Sequence, residues 1–255
     1  MPSLRTEALS LTIAGRRLCD RLSVTLRPGE NWVILGANGS GKTTLLHAFA
    51  GLRAPDGGRV CLDDCEVGGI TPRSRAQQIG LLFQDPETAF PATVLETVLT
   101  GRHPHLERWQ WEGNEDHRAA LSALAAVGVE ALARRPLATL SGGERRRVEI
   151  AALLTQDPPI CLLDEPTNHL DLRHQIQILE LLAGRVQRPG HLNIGVLHDV
   201  NLAARFGTHG ILLFDDGECL HGPLPVVLKR ANLERLYHCR LREIRDAGAG
   251  WFLPL

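Results

Sequence analysis

The stretch Gly36-Ala37-Asn38-Gly39-Ser40-Gly41-Lys42-Thr43-Thr44 constrains this chain more than any other. It is a Gly-x-x-x-x-Gly-Lys-Thr loop. Its glycines let the backbone curl so that successive N–H groups point into one anion-binding nest. Lys42 supplies a compact positive charge for the β- and γ-phosphates of a nucleoside triphosphate, and the Thr43 hydroxyl suits a Mg2+ ligand. The preceding Trp32-Val33-Ile34-Leu35 reads as a short buried strand. The following Thr44-Leu45-Leu46-His47-Ala48-Phe49-Ala50 reads as a helix whose N-terminus adds its dipole to the same site. Loops of this kind serve kinases, GTPases, motors and transporters alike, so the loop specifies a triphosphate and little more.

Bulk properties remove several classes. The net charge of −1 provides no basic field for nucleic acid. No apolar run approaches the roughly 18 residues of a membrane span. The start, Met1-Pro2-Ser3-Leu4-Arg5-Thr6-Glu7, has neither the basic region nor the apolar core of a signal peptide, so a cytoplasmic protein is expected, with a membrane partner allowed. Lysine occurs twice, at Lys42 and Lys229, so one of the two lies in the phosphate loop. Of six cysteines only Cys61 and Cys65 are close, and a single Cys-x-x-x-Cys is a weak zinc signal; reduced thiols are expected.

The pattern predicts an α/β chain with a helical interruption. Residues 4–13 and 22–27 alternate as antiparallel strands about a Gly15-Arg16 turn. Strands follow at 59–63 and 79–83, the latter ending at Gln84. Residues 85–157 read as helical, with helices at 93–101, 115–127 and 142–154. Strands at 160–163, 192–197 and 211–214 then alternate with helices at 172–184 and 199–206. Asp215-Asp216-Gly217-Glu218 reads as a hairpin turn. The tail, 223–255, is expected to pack on the core with a short helix near 225–238 and two strands.

Two further stretches bear chemistry. Asp164 follows four apolar residues, and a carboxylate at the end of a buried strand beside such a loop is placed for Mg2+; adjacent Glu165 is suited to polarising an attacking water. Leu140-Ser141-Gly142-Gly143-Glu144 opens the 142–154 helix. Serine is a good helix cap, but two exposed glycines there also make a second phosphate nest. One nucleotide does not need two nests, so the second is expected to serve a nucleotide held by another subunit.

These segments, with Gln84 and His198 in this order, resemble the ATP-binding-cassette (ABC) transporter ATPases over residues 5–222 and more weakly in the tail. The resemblance implies a P-loop NTPase core (1–84 and 158–222) with an antiparallel β subdomain, an inserted helical subdomain (85–157) and a C-terminal tail. It implies ATP and Mg2+ as ligands, with Gln84, Asp164 and Thr43 at the metal. Glu165, Gln84 and His198 would be catalytic. Ser141, Gly142, Gly143 and Glu144 would contact ATP on the opposite subunit of a homodimer, and Asp171 would lie in the loop crossing that interface. Two departures stand out. The family often stacks an aromatic residue on adenine, whereas no aromatic residue precedes Trp32 and Ile13 falls closest to that position. The signature ends in Glu144 rather than glutamine, with the carboxylate expected to turn away or pair with Arg145, Arg146 or Arg147.

Phe90-Pro91-Ala92-Thr93-Val94, Gly101-Arg102-His103-Pro104-His105 and Asp171-Leu172-Arg173-His174-Gln175 resemble ATPases of iron-siderophore, haem and cobalamin importers. This branch implies a peripheral protein on the cytoplasmic face of the inner (plasma) membrane. A permease would dock near Gln84 and the insert, and a substrate-binding protein would act only indirectly. The rival readings are another import or export class and a soluble ABC protein without a transport role.

Overall fold

The computed structural model describes residues 2–84, 91–246 and 249–255. Its centre is a sheet in the order β10-β9-β3-β8-β7-β6, formed by Cys219–Pro223, His209–Leu213, Asn31–Gly36, Leu192–Val196, Ile160–Asp164 and Ile79–Leu82. β3 runs parallel to both β8 and β9, and β7 parallel to both β8 and β6. Only the edge strand β10 is antiparallel. Every residue of β7 and β8 is buried, which explains their largely apolar sequence: both faces of this sheet are covered, and the buried Asn193 of β8 donates to the Leu182 carbonyl.

A second sheet, β2-β1-β4-β5, is antiparallel throughout and is built from Arg16–Leu26, Leu4–Ile13, Gly57–Leu62 and Cys65–Glu66. The helix after the glycine loop, α1 (Lys42–Phe49), lies between the two sheets. Leu45, Leu46 and Phe49 are fully buried in one cluster with Leu9 and Leu11 of β1 and with Ile160, Ile194 and Ile211 of the central sheet. The phosphate loop is therefore held by packing behind it on two sides.

Residues 94–156 contain α3 (Val94–Leu99), α4 (Asn114–Ala126) and α5 (Gly142–Gln156), joined by short 3-10 turns. Their apolar faces form a second cluster with the ends of β6 and β7. The tail covers the face of the central sheet that lies opposite α1. Leu233 and Leu236 of α9 (Arg230–Tyr237), Leu241 of β11 (Leu241–Asp246) and Phe252 of β12 (Ala249–Pro254) pack with Leu35, Leu212 and Phe214.

The structure departs from the sequence reading in four places. The first hairpin turns at Ala14 and Gly15, both left-handed (φ 48° and 79°), so Arg16 already belongs to β2. β5 and α2 (Pro72–Gln78) were not anticipated. α2 is capped by Thr71, which accepts from the Ser74 N–H, and it buries no residue, so its sequence has no apolar period to read. The single tail helix near 225–238 is two, α8 (Leu224–Val227) and α9, separated at Leu228 and Lys229. Phe90 of the import-branch motif lies outside the described residues.

Phe49 seats the phosphate-loop helix, and its side chain is wholly buried. Phe49→Ala is expected to destabilise the chain by about 3–5 kcal/mol through lost transfer energy and the cavity left behind. Urea unfolding of the purified variant measures this, as a lower midpoint with an unchanged slope.

Candidate active site

A concavity of about 750 Å3 lies over the phosphate loop. Asn38, Gly39, Gly41, Lys42, Thr43 and Thr44 line its floor. Gly36 leaves β3 with no room for a side chain: a Cβ there would come within 2.4 Å of Ser40 Oγ and 3.0 Å of the Leu213 carbonyl. Gly41 has φ 100°, a region closed to most side chains, and it directs the chain into α1. Ala37 accepts from the Ser40 N–H at 3.1 Å and closes the turn. Lys42 Nζ donates to the Gly36 and Ala37 carbonyls, both at 3.0 Å. Burial lowers its pKa, and the carboxylates of Glu165 and Asp164 oppose that shift.

The facing wall comes from strand ends of the central sheet. Asp164 closes β7, is 1% exposed, and has no hydrogen-bond partner for either carboxylate oxygen among the described residues. Burial pushes its pKa up; the nearby Thr43 hydroxyl opposes this and the Glu165 charge adds to it. A buried carboxylate left without a partner is costly. Asp164, the Thr43 hydroxyl and the Gln84 carboxamide offer hard oxygen donors of the kind Mg2+ prefers, so these residues fit that ion.

Glu165 sits in the left-handed region (φ 49°), an uncommon setting for a non-glycine residue, and is 7% exposed. Three side chains converge on its carboxylate. His198 Nε2 lies 2.5 Å from Oε1, and Gln84 Nε2 donates to Oε2 at 3.3 Å. Asn168 Nδ2 donates to the same Oε2. The structure thus brings together Gln84, Glu165 and His198, which lie on three separate segments. Asn168 joins them although the sequence reading assigned it no contact there. A carboxylate fixed by three polar groups at the mouth of a phosphate nest can orient and polarise a water.

Ser141, Gly142, Gly143 and Glu144 lie elsewhere. With Arg147, His169, Leu170, Asp171 and His174 they line a separate concavity of about 470 Å3 that shares no residue with the first. Ser141 caps α5. Glu144 Oε2 accepts from the Ser141 N–H and hydroxyl, both at 2.8 Å, while Ser141 Oγ accepts from the Glu144 N–H. The expectation for Glu144 is a carboxylate turned away or paired with Arg145, Arg146 or Arg147; its hydrogen bonds instead form a reciprocal capping box with Ser141, which holds the Glu144 pKa below the usual carboxylate range. Gly143 is required by packing, since a Cβ would meet the His169 carbonyl at 2.8 Å. Asp171 caps α6 (Leu172–Arg185), accepting from the His174 N–H and pairing with His174 Nδ1, each at 2.9 Å.

Arg146 is the residue the sequence reading placed wrongly. It is 3% exposed and donates to the Phe83 carbonyl at 2.6 Å, to the Asp164 and Glu165 carbonyls, and to Glu149 Oε2 at 2.9 Å. One arginine in a run of three offers no sequence signal for this role.

Comparison with known proteins decides the class. The ABC transporter family profile matches residues 19–168. The chain belongs to the ABC transporter family. It is an ATPase subunit with the ABC ATPase fold. It is 38% identical to the ferric enterobactin transport ATP-binding protein of Escherichia coli (strain K12), over 97% of this chain and 91% of that protein. It is 37% identical to a hemin import ATP-binding protein of Myxococcus xanthus (strain DK1622), over 97% and 94%. A structure of a putative metal-chelate type ABC transporter in an inward-facing conformation superposes with a TM-score of 0.85 at 27% identity, covering 100% of this chain and 98% of that one. A dimeric bacterial ABC transporter cassette superposes at 0.76 with 29% identity, covering 87% and 98%. No helix among the described residues is long and apolar enough to cross a membrane.

Asp164 provides a test by pH. Its folded pKa is raised above the unfolded value, so the folded state binds the extra proton. Stability of the nucleotide-free chain therefore falls as pH rises from the ordinary carboxylate range through the folded pKa. Asp164→Asn is expected to raise the melting temperature of the nucleotide-free protein at pH 7, with the gain shrinking toward pH 4. Thermal scans across that range check it.

Proposed function

We propose that this chain is the ATP-hydrolysing subunit of an importer that takes up metal chelates of the ferric-siderophore, haem or cobalamin class. The names of its relatives support the direction and the cargo class. Two copies close on two ATP molecules. The observation that supports this reading is that the two concavities share no lining residue, which leaves residues 141–143 to complete the phosphate site of a second copy.

In each site the backbone of residues 36–44 and Lys42 hold the phosphates, and Ile13 lies against the base. Thr43, Asp164 and Gln84 would hold Mg2+, which would supply charge neutralisation on the β- and γ-phosphates. Glu165 orients and polarises the attacking water, with His198 and Gln84 fixing its carboxylate. Asp171, beside the signature residues, crosses the interface to the partner. Closing on ATP and reopening after hydrolysis is a ligand-driven population shift. A hollow of about 290 Å3 between β6 and helices α3 and α5, lined by Phe83, Thr97, Glu149 and Leu153 among others, receives cytoplasmic segments of the permease. That contact holds the subunit peripherally at the cytoplasmic face of the membrane. The substrate-binding protein is engaged only through the permease.

Glu165→Gln is expected to retain ATP binding, lower turnover by about two orders of magnitude or more, and give a stable ATP-bound dimer on gel filtration. Turnover near wild type would remove Glu165 from this role. Ser141→Arg is expected to leave ATP binding by the monomer intact while abolishing ATP-dependent dimerisation and hydrolysis; loss of monomer binding would overturn the cross-subunit assignment. Reconstitution with the cognate permease in proteoliposomes, followed by ATP-driven movement of a ferric siderophore, haem or cobalamin, tests the cargo class.

A further inference from the structure

The base side of the nucleotide concavity has no aromatic residue, yet it has a planar cation. Arg16 lines that wall together with Ile13 and Leu18. Ile13 and Arg16 are direct cross-strand partners at the end of the first hairpin, so their side chains share one face. Arg16 is held by its edge. Nη2 pairs with Asp215 Oδ1 at 2.8 Å, and Nη1 donates to the Gly39 carbonyl of the phosphate loop at 3.4 Å. Asp215 stands in the turn after β9, and its other oxygen, Oδ2, takes His238 Nε2 of the tail at 2.8 Å. The carboxylate is thus shared between the tail and Arg16, which fixes the orientation of the guanidinium while leaving its flat face uncommitted. A guanidinium used at its edge can still stack by its face on an aromatic ring.

We propose that Arg16 is the purine-binding residue of this ATPase, its guanidinium lying against the base where an aromatic ring would otherwise stack. Asp215 is the positioning residue, and His238 couples the C-terminal tail to it. The proposal rests on the reading of residues 36–44 as the phosphate site. It also explains how Ile13, 43% exposed at the pocket edge, can stand where a larger flat side chain is expected.

The test compares Mg-ATP with Mg-tripolyphosphate, which lacks the base, by isothermal titration calorimetry on the full chain. Arg16→Ala is expected to weaken ATP binding about three- to thirty-fold and leave tripolyphosphate binding unchanged. Arg16→Lys keeps the charge but not the flat face and should remain weak, whereas Arg16→Phe should recover most of the affinity. Equal weakening toward both ligands would make Arg16 a phosphate ligand and overturn the proposal. Unchanged ATP affinity in Arg16→Ala, or full recovery in Arg16→Lys, would overturn it too. Lys42→Ala separates the two levels: if it leaves ATP binding intact, the phosphate-site reading fails, whatever Arg16 does.

Discussion

The buried guanidinium of Arg146 joins the parts of this molecule that must act together. It projects from α5, the helix opened by the signature residues, and donates to backbone carbonyls at the end of β6 and the end of β7. A charge so deeply buried is tolerable only when its donors find acceptors, and removing them would leave it uncompensated. The same set of bonds therefore fixes the chain just before Gln84, the peptide units of Asp164 and Glu165, and the root of the helical insert. Through these bonds the helical insert is tied directly to the backbone that presents the acidic pair. Glu149, one turn further along α5, accepts from the same guanidinium and neutralises it.

Around this anchor the phosphate site is charged in a way that favours a ligand. Burial lowers the pKa of Lys42 and raises that of Asp164, so desolvation acts against both charges in the nucleotide-free chain. Lys42 finds interim acceptors in the Gly36 and Ala37 carbonyls, while Asp164 finds no partner among the described residues. A triphosphate with its divalent cation would relieve both. The packing of α1 between two sheets, where Leu45, Leu46 and Phe49 are fully buried, offsets the cost of burying these two charges.

Much of this was legible because strong signals are local. The central strands are predominantly apolar, since a parallel sheet covered on both faces has no wet side. The phosphate loop needs glycine at set positions because the backbone there crowds Ser40 and Leu213 or turns left-handed. α2 was invisible for the opposite reason: a helix that buries nothing carries no period. Glu144 was read as a stray charge beside a phosphate nest, and the structure makes it half of a capping box. The serine reads as the cap of a helix start, but the two glycines after it point to phosphate chemistry, so the second half of the Ser-x-x-Glu box is hidden behind that reading.

The sequence by itself determined the chemistry of this protein: the nest, its lysine, the strand-end carboxylates and the order of the motifs that define the family. These follow from residue type and short spacing, which backbone geometry converts directly into local structure. Only the tertiary structure decided which distant groups meet. It brought Gln84, Asn168 and His198 onto one carboxylate, sent Arg146 to three carbonyls, placed Arg16 over the phosphate loop, and put residues 141–144 in a concavity that shares no residue with the one over that loop. Those contacts depend on how the strands order themselves and how helices pack across them, and no local pattern of residues encodes that arrangement.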